Sequence, residues 1–257
     1  MEELLRLYLI VCPLIFLGGF VDSVAGGGGL ITLPAYLMAG LPAHMAMGTN
    51  KVVNAIGTGT AALRYLKSGK VQVRVAAISA VAALVGSTIG TRIALLIPED
   101  ILKVLMLVAL PVVAVVLSVK KDFGKEGHTP PRSYSRRYEA VAAALIGLFI
   151  GCYDGLVGPG TGTFMIMAFT IALSMDLITA SGCAKIGNLA SNVASAVVFI
   201  LNGKVFWALA VPAALCNALG GYCGARYAIR GGSSKIRGMI FLVLGLMFVK
   251  MLWDLLV

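Results

Sequence analysis

The sequence predicts an all-α polytopic membrane protein built from two inverted structural repeats of about five helical elements each, with broken, short helices at the midplane. Three observations carry that expectation. Of 257 residues, 59% are hydrophobic and 12% charged, and the mean hydropathy is +0.95, outside the range of soluble domains. Apolar runs of roughly 20 residues, the length a helix needs to cross the hydrocarbon core, recur along the chain. The third observation is that the chain matches itself at a fixed offset.

Sliding the sequence by 134 residues (185 minus 51) lays Lys51 on Lys185 and Asn54 on Asn188. The same offset lays Gly69, Lys70 and Val71 on Gly203, Lys204 and Val205, Gly86 on Gly220, Gly90 on Gly224, and Arg92 on Arg226. A glycine run following Asp22 has its counterpart in the glycine-rich stretch following Asp154, at an offset of 132 (154 minus 22). The halves are 1–119 and 138–257. A basic connector, 120–137, joins them and contains Pro130 and Pro131.

Each half offers five apolar elements in order. The first is 4–21 or 140–153, apolar and ended by the acid-plus-glycine break. The second, 30–38 or 164–173, is too short to span as a helix alone. The third, 45–66 or 178–201, carries the lysine and asparagine. The fourth is 75–97 or 205–229, and the fifth 101–119 or 239–257. No segment shows the alternating pattern of a transmembrane barrel strand.

Charge in the loops sets orientation. Arg64, Lys67, Lys70 and Arg74 follow the third element of the first half, where the second half has only Lys204. The next loop reverses the bias: Arg226, Arg230, Lys235 and Arg237 stand against Arg92 and Lys103, which Glu99 and Asp100 offset. Cationic loops stay on the cytoplasmic side, so equivalent loops face opposite sides and the repeats are inverted. If each short element completes a crossing, there are ten crossings of the plasma (inner) membrane, with a cytoplasmic connector and both termini outside. If the short elements are re-entrant, eight spans and parallel repeats follow. Arg92 and Arg226 read as interfacial anchors.

Composition also excludes functions. The net charge of +10 sits mostly between spans, so it marks topology and not nucleic-acid binding. Cys12, Cys152, Cys183, Cys216 and Cys223 form no C-x-x-C pair and read as small core residues, and His44 and His128 fall in loops. No cofactor or metal is expected. Glu2 and Glu3 replace the basic start of a signal peptide. No phosphate-binding G-x-x-x-x-G-K-[ST] motif is present, which leaves an ion or potential gradient, or a partner, as the energy source.

The chemistry gathers at the two breaks. Non-helical backbone at membrane depth persists only where protein or a water-filled cavity surrounds it. Short helices starting at Gly28 and Gly29, or at Gly160 and Thr161, would aim free amides and a positive dipole end at an anion. Thr32, Thr161 and Thr163 add hydroxyls, although close packing through small residues accounts for glycines as well. Lys51 and Lys185 are costly intramembrane charges. Lys51 shares a helix face with Thr58, and Asn50 and Asn54 lie beside it. Lys185, Asn188 and Asn192 repeat that stripe, with Ser195 beyond. Two readings stand side by side. In one, Lys51 with Asp22 and Lys185 with Asp154 form structural ion pairs. In the other, the lysines attract a small anionic substrate while Asp22 and Asp154 exchange protons or balance charge, burial and pairing acting oppositely on such groups.

Residues Asp22 to Pro34, then Gly48, Thr49, Asn50 and Lys51, then Gly69, Lys70 and Val71, with a degenerate second copy, resemble the TauE/SafE sulfite exporter family. The resemblance spans nearly the whole chain. It implies a non-enzymatic secondary transporter that exports small sulfur-containing anions such as sulfite, thiosulfate or organosulfonates by alternating access. The second half departs from the pattern at Pro159 and at Gly182, Cys183 and Ala184, so the two halves need not contact substrate equally. A passive anion channel would share the positive cavity. An intramembrane aspartyl protease using Asp22 and Asp154 lacks the G-x-G-D motif, and serine–histidine hydrolysis lacks a histidine within a span.

Overall fold

The structure, a computed structural model, describes residues 2–105 and 134–256. It is built from helices α1 (Glu2–Ala25), α2 (Gly29–Met38), α3 (Ala43–Lys67), α4 (Val73–Leu96), α5 (Arg136–Leu156), α6 (Thr161–Leu173), α7 (Leu177–Leu201) and α8 (Trp207–Leu256). A further helical stretch occupies 99–105. Most of the fifth element expected in the first half, most of the connector, and His128 lie outside the described residues. Among the described residues, five segments are long and apolar enough to cross a membrane: Leu7–Ala25, Val73–Leu96, Arg136–Leu156, Leu177–Leu201 and Trp207–Ile240. The 25-residue α3 is equally long but less apolar, because Thr49, Asn50, Lys51, Asn54 and Thr58 fall on it. The fourth and fifth elements expected in the second half are continuous in α8, broken only at Gly232.

Glycines with positive φ end the long helices: Gly26 after α1 (φ 82°), then Gly158 (φ 96°) and Gly160 (φ 78°) after α5. Residues with a Cβ are strained in that conformation, and it turns the chain out of the helix. The chain then doubles back. Gly18 of α1 faces Thr32 and the Gly28 carbonyl. At the far end, Leu7 lines one cavity with Ala39, Gly40, Leu41 and Pro42, just past α2. In the second half the Tyr138 hydroxyl donates to the Ala172 carbonyl (3.3 Å), and the Tyr134 and Ser174 hydroxyls lie 3.0 Å apart, tying the start of α5 to the end of α6. Each short helix thus folds back along its predecessor as a hairpin.

The halves interlock through glycines. Gly48, near the start of α3, abuts the Lys204 carbonyl just past α7, and Gly182, near the start of α7, abuts the Lys70 carbonyl just past α3. Helices α3 and α7 therefore run antiparallel. Gly86 and Gly90 of α4 abut the Leu148 and Cys152 carbonyls of α5, while Gly220 and Gly224 of α8 abut the Phe16 and Phe20 carbonyls of α1. Each contact maps onto its partner at the offsets of 134 and 132, so exchanging the halves preserves the packing. Small residues permit such close backbone approach, which supplies association energy where lipid removes the hydrophobic drive.

His44, expected in a loop, is instead buried in the first turn of α3. Its Nδ1 lies 2.6 Å from Glu99 Oε1, and its Nε2 lies 3.0 Å from the Ala94 carbonyl. Partial burial pushes the Glu99 carboxyl up, but the His44 ring and the Ala43 and His44 amides outweigh it together and hold the group below its ordinary value. Cys223 is exposed, Cys183 is buried and the other three cysteines are partly buried. Arg92 and Arg226 are exposed, as anchors need to be.

Two glycines with nearly equal φ separate strain from contact. Gly26 (φ 82°) has the Gly162 and Thr163 backbones where a Cβ would go, whereas Gly40 (φ 81°) has nothing within 4 Å. Thermal unfolding in detergent should show Gly40→Ala losing about 1 kcal/mol, for conformation alone. Gly26→Ala should lose about 3 kcal/mol or more. Equal losses would mean that the hairpin tips do not touch.

Candidate functional site

The tips of the two hairpins meet inside the molecule. Gly26 packs directly on Gly162, a Cβ at Gly29 would lie 3.4 Å from Pro159 Cα, and the Thr163 hydroxyl donates to the Ala25 carbonyl at 2.7 Å. Neither α2, preceded by Gly28, nor α6, preceded by Gly160, has a side-chain cap. By contrast, Asp176 caps α7 by accepting from the Ile178 and Thr179 amides, both at 3.0 Å. Leu30 and Ile31 already donate their amides to the Gly27 and Gly28 carbonyls (3.1 and 2.9 Å), and Thr161 to the Gly158 carbonyl (3.4 Å), so the first-turn amides left without a protein acceptor among the described residues are those of Gly29, Gly162 and Thr163.

The lysines reach these tips from α3 and α7, and they cross. Lys51 Nζ lies 2.7 Å from Asp154 Oδ2, and Lys185 Nζ lies 2.8 Å from Asp22 Oδ2. The pairing expected from sequence, Lys51 with Asp22 and Lys185 with Asp154, is corrected: each ion pair joins one half to the other. The antiparallel setting of α3 and α7 is the reason. It brings each lysine to the tip contributed by the opposite half.

All four groups are withdrawn from water. The side chains of Lys51, Asp154 and Lys185 are 3%, 4% and 0% exposed, and that of Asp22 is 16% exposed. Each aspartate occupies the last turn of its helix, facing the negative end of the helix dipole, so its stabilisation comes from the lysine. Asp154 also accepts a short hydrogen bond from the Ser191 hydroxyl. Asp22 has the Thr58 hydroxyl at 3.5 Å, a weaker contact.

The remaining expected residues surround the pairs unevenly. The Thr32 hydroxyl donates to Asn50 Oδ1 at 2.7 Å, linking α2 to α3. Asn192 Nδ2 donates to Asn188 Oδ1 at 2.7 Å. Thr161 turns back to donate to the Gly158 carbonyl at 2.8 Å. The hydroxyls of Thr32, Thr161 and Thr163 therefore all donate to protein oxygens in this arrangement. Asn54 Oδ1 accepts from Asn217 Nδ2 at 3.1 Å.

Asn217 went unnoticed in the sequence because its repeat counterpart, 217 minus 134, is Ala83. The only signal was a lone amide in an apolar run. A second polar cluster joins α4 to α7: Ser87 donates to the Ser191 carbonyl at 2.7 Å and lies 2.6 Å from the Ser195 hydroxyl, to which Thr91 donates at 2.8 Å. Of these residues only Ser195 stood out in the sequence.

Known proteins resemble the chain over this whole region. The profile described as Sulfite exporter TauE/SafE matches residues 11–251. A "Probable membrane transporter protein ORF9" of Sinorhizobium sp is 33% identical over 239 residues, 93% of this chain and 90% of that protein. A "Probable membrane transporter protein" of Haemophilus influenzae is also 33% identical over 239 residues, 93% and 92% of the two chains. "Probable membrane transporter protein YfcA" of Escherichia coli K12 is 31% identical over 238 residues, 93% and 87% of the two chains. No solved structure matches the chain at a significant level.

Crossed pairing predicts a specific pattern of rescue. Lys51→Met strands the Asp154 carboxylate in the interior and should cost about 3–5 kcal/mol of stability. Adding Asp154→Asn should restore most of that loss, whereas adding Asp22→Asn should restore none. Thermal unfolding of the three variants in detergent measures this, and rescue by Asp22→Asn would refute the crossed arrangement.

Proposed function

The chain belongs to the sulfite exporter TauE/SafE family of membrane transporters, and on that premise we propose a secondary transporter that exports small sulfur-containing oxyanions by alternating access. The observation that carries this reading is the pair of crossed, buried lysine–aspartate contacts where two uncapped helix starts converge. Each lysine is a cation already selected for an oxyanion, and each tip adds the dipole and amides of a helix start. Sulfite, thiosulfate and organosulfonates present the compact oxygen shell such a site accommodates.

The halves are inverted repeats, 1–119 and 138–257, joined by a cytoplasmic connector, 120–137. The antiparallel contacts of α3 with α7 support this, as does the clustering of Arg64, Lys67, Lys70, Arg226 and Arg230 toward one end of the parallel helices α3 and α8. In this topology the two hairpins enter from opposite sides of the plasma membrane, and each half crosses an odd number of times, the fifth element of the first half being counted from its apolar run in the sequence alone. Both termini then lie outside.

Coupling to protons follows from charge balance. An oxyanion that takes a lysine displaces its aspartate, which becomes a buried, uncompensated carboxylate. Taking up one proton removes that cost. A monoanion then loads and leaves with one proton, and a dianion that displaces both aspartates with two, so the interior stays neutral throughout.

Proteoliposomes loaded with sulfite, thiosulfate or sulfoacetate and a pH-sensitive dye test this reading. The wild-type protein should carry protons with the anion. The folded Lys51→Met/Asp154→Asn protein should lose about 2 kcal/mol of anion interaction, roughly 30-fold in transport rate. Lys185→Met/Asp22→Asn should behave likewise. Unchanged transport in both would remove the lysines from the site, and anion flux without saturation or proton movement would favour a channel.

A further inference from the structure

A concentration of positive charge not engaged by the site lies where α8 breaks. Arg226 and Arg230 are one turn apart on α8 and exposed. At Gly232 the backbone takes φ 72° and ψ −171°, and the helix direction changes. Beyond it Lys235 returns toward the first segment: its side chain packs on Gly231, and its ammonium lies 5.5 Å from the centre of the Tyr227 ring. Phe20 of α1 stands against that ring, with centroids 5.7 Å apart. These groups line one pocket of about 480 Å³. Among the described residues, none of its three cations has an acidic partner.

The surface leading to this pocket identifies what fits it. Leu215, Leu219 and Tyr222 are exposed and follow the helical period that ends at Arg226 and Arg230, so an apolar stripe runs along α8 into the cationic end. At the same end, Arg64 of α3 lies over the Tyr222 ring at 4.2 Å. Cations and aromatic rings at the end of a membrane-spanning segment mark the lipid–water boundary. A free anion would use only the charges, whereas a molecule with an anionic head and long acyl chains would use both the charges and the stripe. We propose that this pocket binds the headgroup of an anionic phospholipid, with the phosphodiester between Arg226, Arg230 and Lys235 and the acyl chains along Leu219 and Leu215.

Thermal shift of the detergent-purified full chain tests this, with phosphatidylglycerol, phosphatidylcholine and inorganic phosphate added separately. Phosphatidylglycerol should raise the wild-type Tm saturably by roughly 3 °C or more, and the other two should leave it unchanged. Arg230→Gln with Lys235→Gln should abolish the shift. Lys67→Gln with Lys70→Gln, which removes equal charge from exposed positions outside the pocket, should retain it. The proposal is overturned by an equal shift in both double variants, by a matching shift with inorganic phosphate, or by no shift with phosphatidylglycerol. The three-additive comparison on the wild-type protein decides the matter even if the pocket variant does not fold.

Discussion

Two lysines and two aspartates sit in the interior of this protein, and each charge is held there by an opposite charge from the other half of the chain. Bringing a carboxylate and an ammonium out of water costs several kcal/mol per ion, and only a well-placed partner recovers it. Neither half holds both members of a pair, so neither can bury its own charges alone. The two halves are therefore bound by electrostatics as well as by packing. A relative movement of the halves must either carry the pairs intact or supply a substitute for each partner.

That constraint explains the glycines. For a lysine on α3 to meet an aspartate of the opposite half, the helix bearing the aspartate must stop deep in the structure and reverse. Positive φ at Gly26, Gly158 and Gly160 provides the stop and the reversal. The backbones of the two tips must then approach closely enough to share one site, which the Gly26–Gly162 contact permits. The same logic extends outward: Gly86, Gly90, Gly220 and Gly224 let α4 sit on α5 and α8 sit on α1 with backbone against backbone. These glycines are fixed in place by geometry.

Much of this was legible in the sequence. Helix positions followed from apolar runs and from the Lys51–Lys185 register, with α1 to α7 lying within a few residues of the expected segments. The family resemblance carried by Asp22 to Pro34 is borne out by the match over residues 11–251. The pairing of charges was not legible. A repeat alignment relates equivalent residues but does not say whether a residue meets the partner in its own half or the one in the other, and proximity in sequence favoured the wrong choice. The sequence left the course of the short elements open for a related reason, since an apolar run of ten residues after a glycine break reads the same whether it crosses or re-enters. Asn217 and His44 escaped because each is a single polar residue without a repeat counterpart, and only the tertiary contacts with Asn54 and Glu99 give them meaning.

The two pairs are equivalent in the repeat but not in their surroundings, and this bears on how the interior can be opened. Asp154 is almost fully enclosed and takes a short hydrogen bond from Ser191, a residue aligned with Gly57 in the first half (191 minus 134). Asp22 keeps 16% of its side chain exposed and has only the longer Thr58 contact. A carboxylate with residual access to water loses less on separation from its lysine than one without it. Departure from the repeat thus leaves one pair more rigid than the other. Separation of the lysine from its carboxylate therefore costs less at Lys185 than at Lys51.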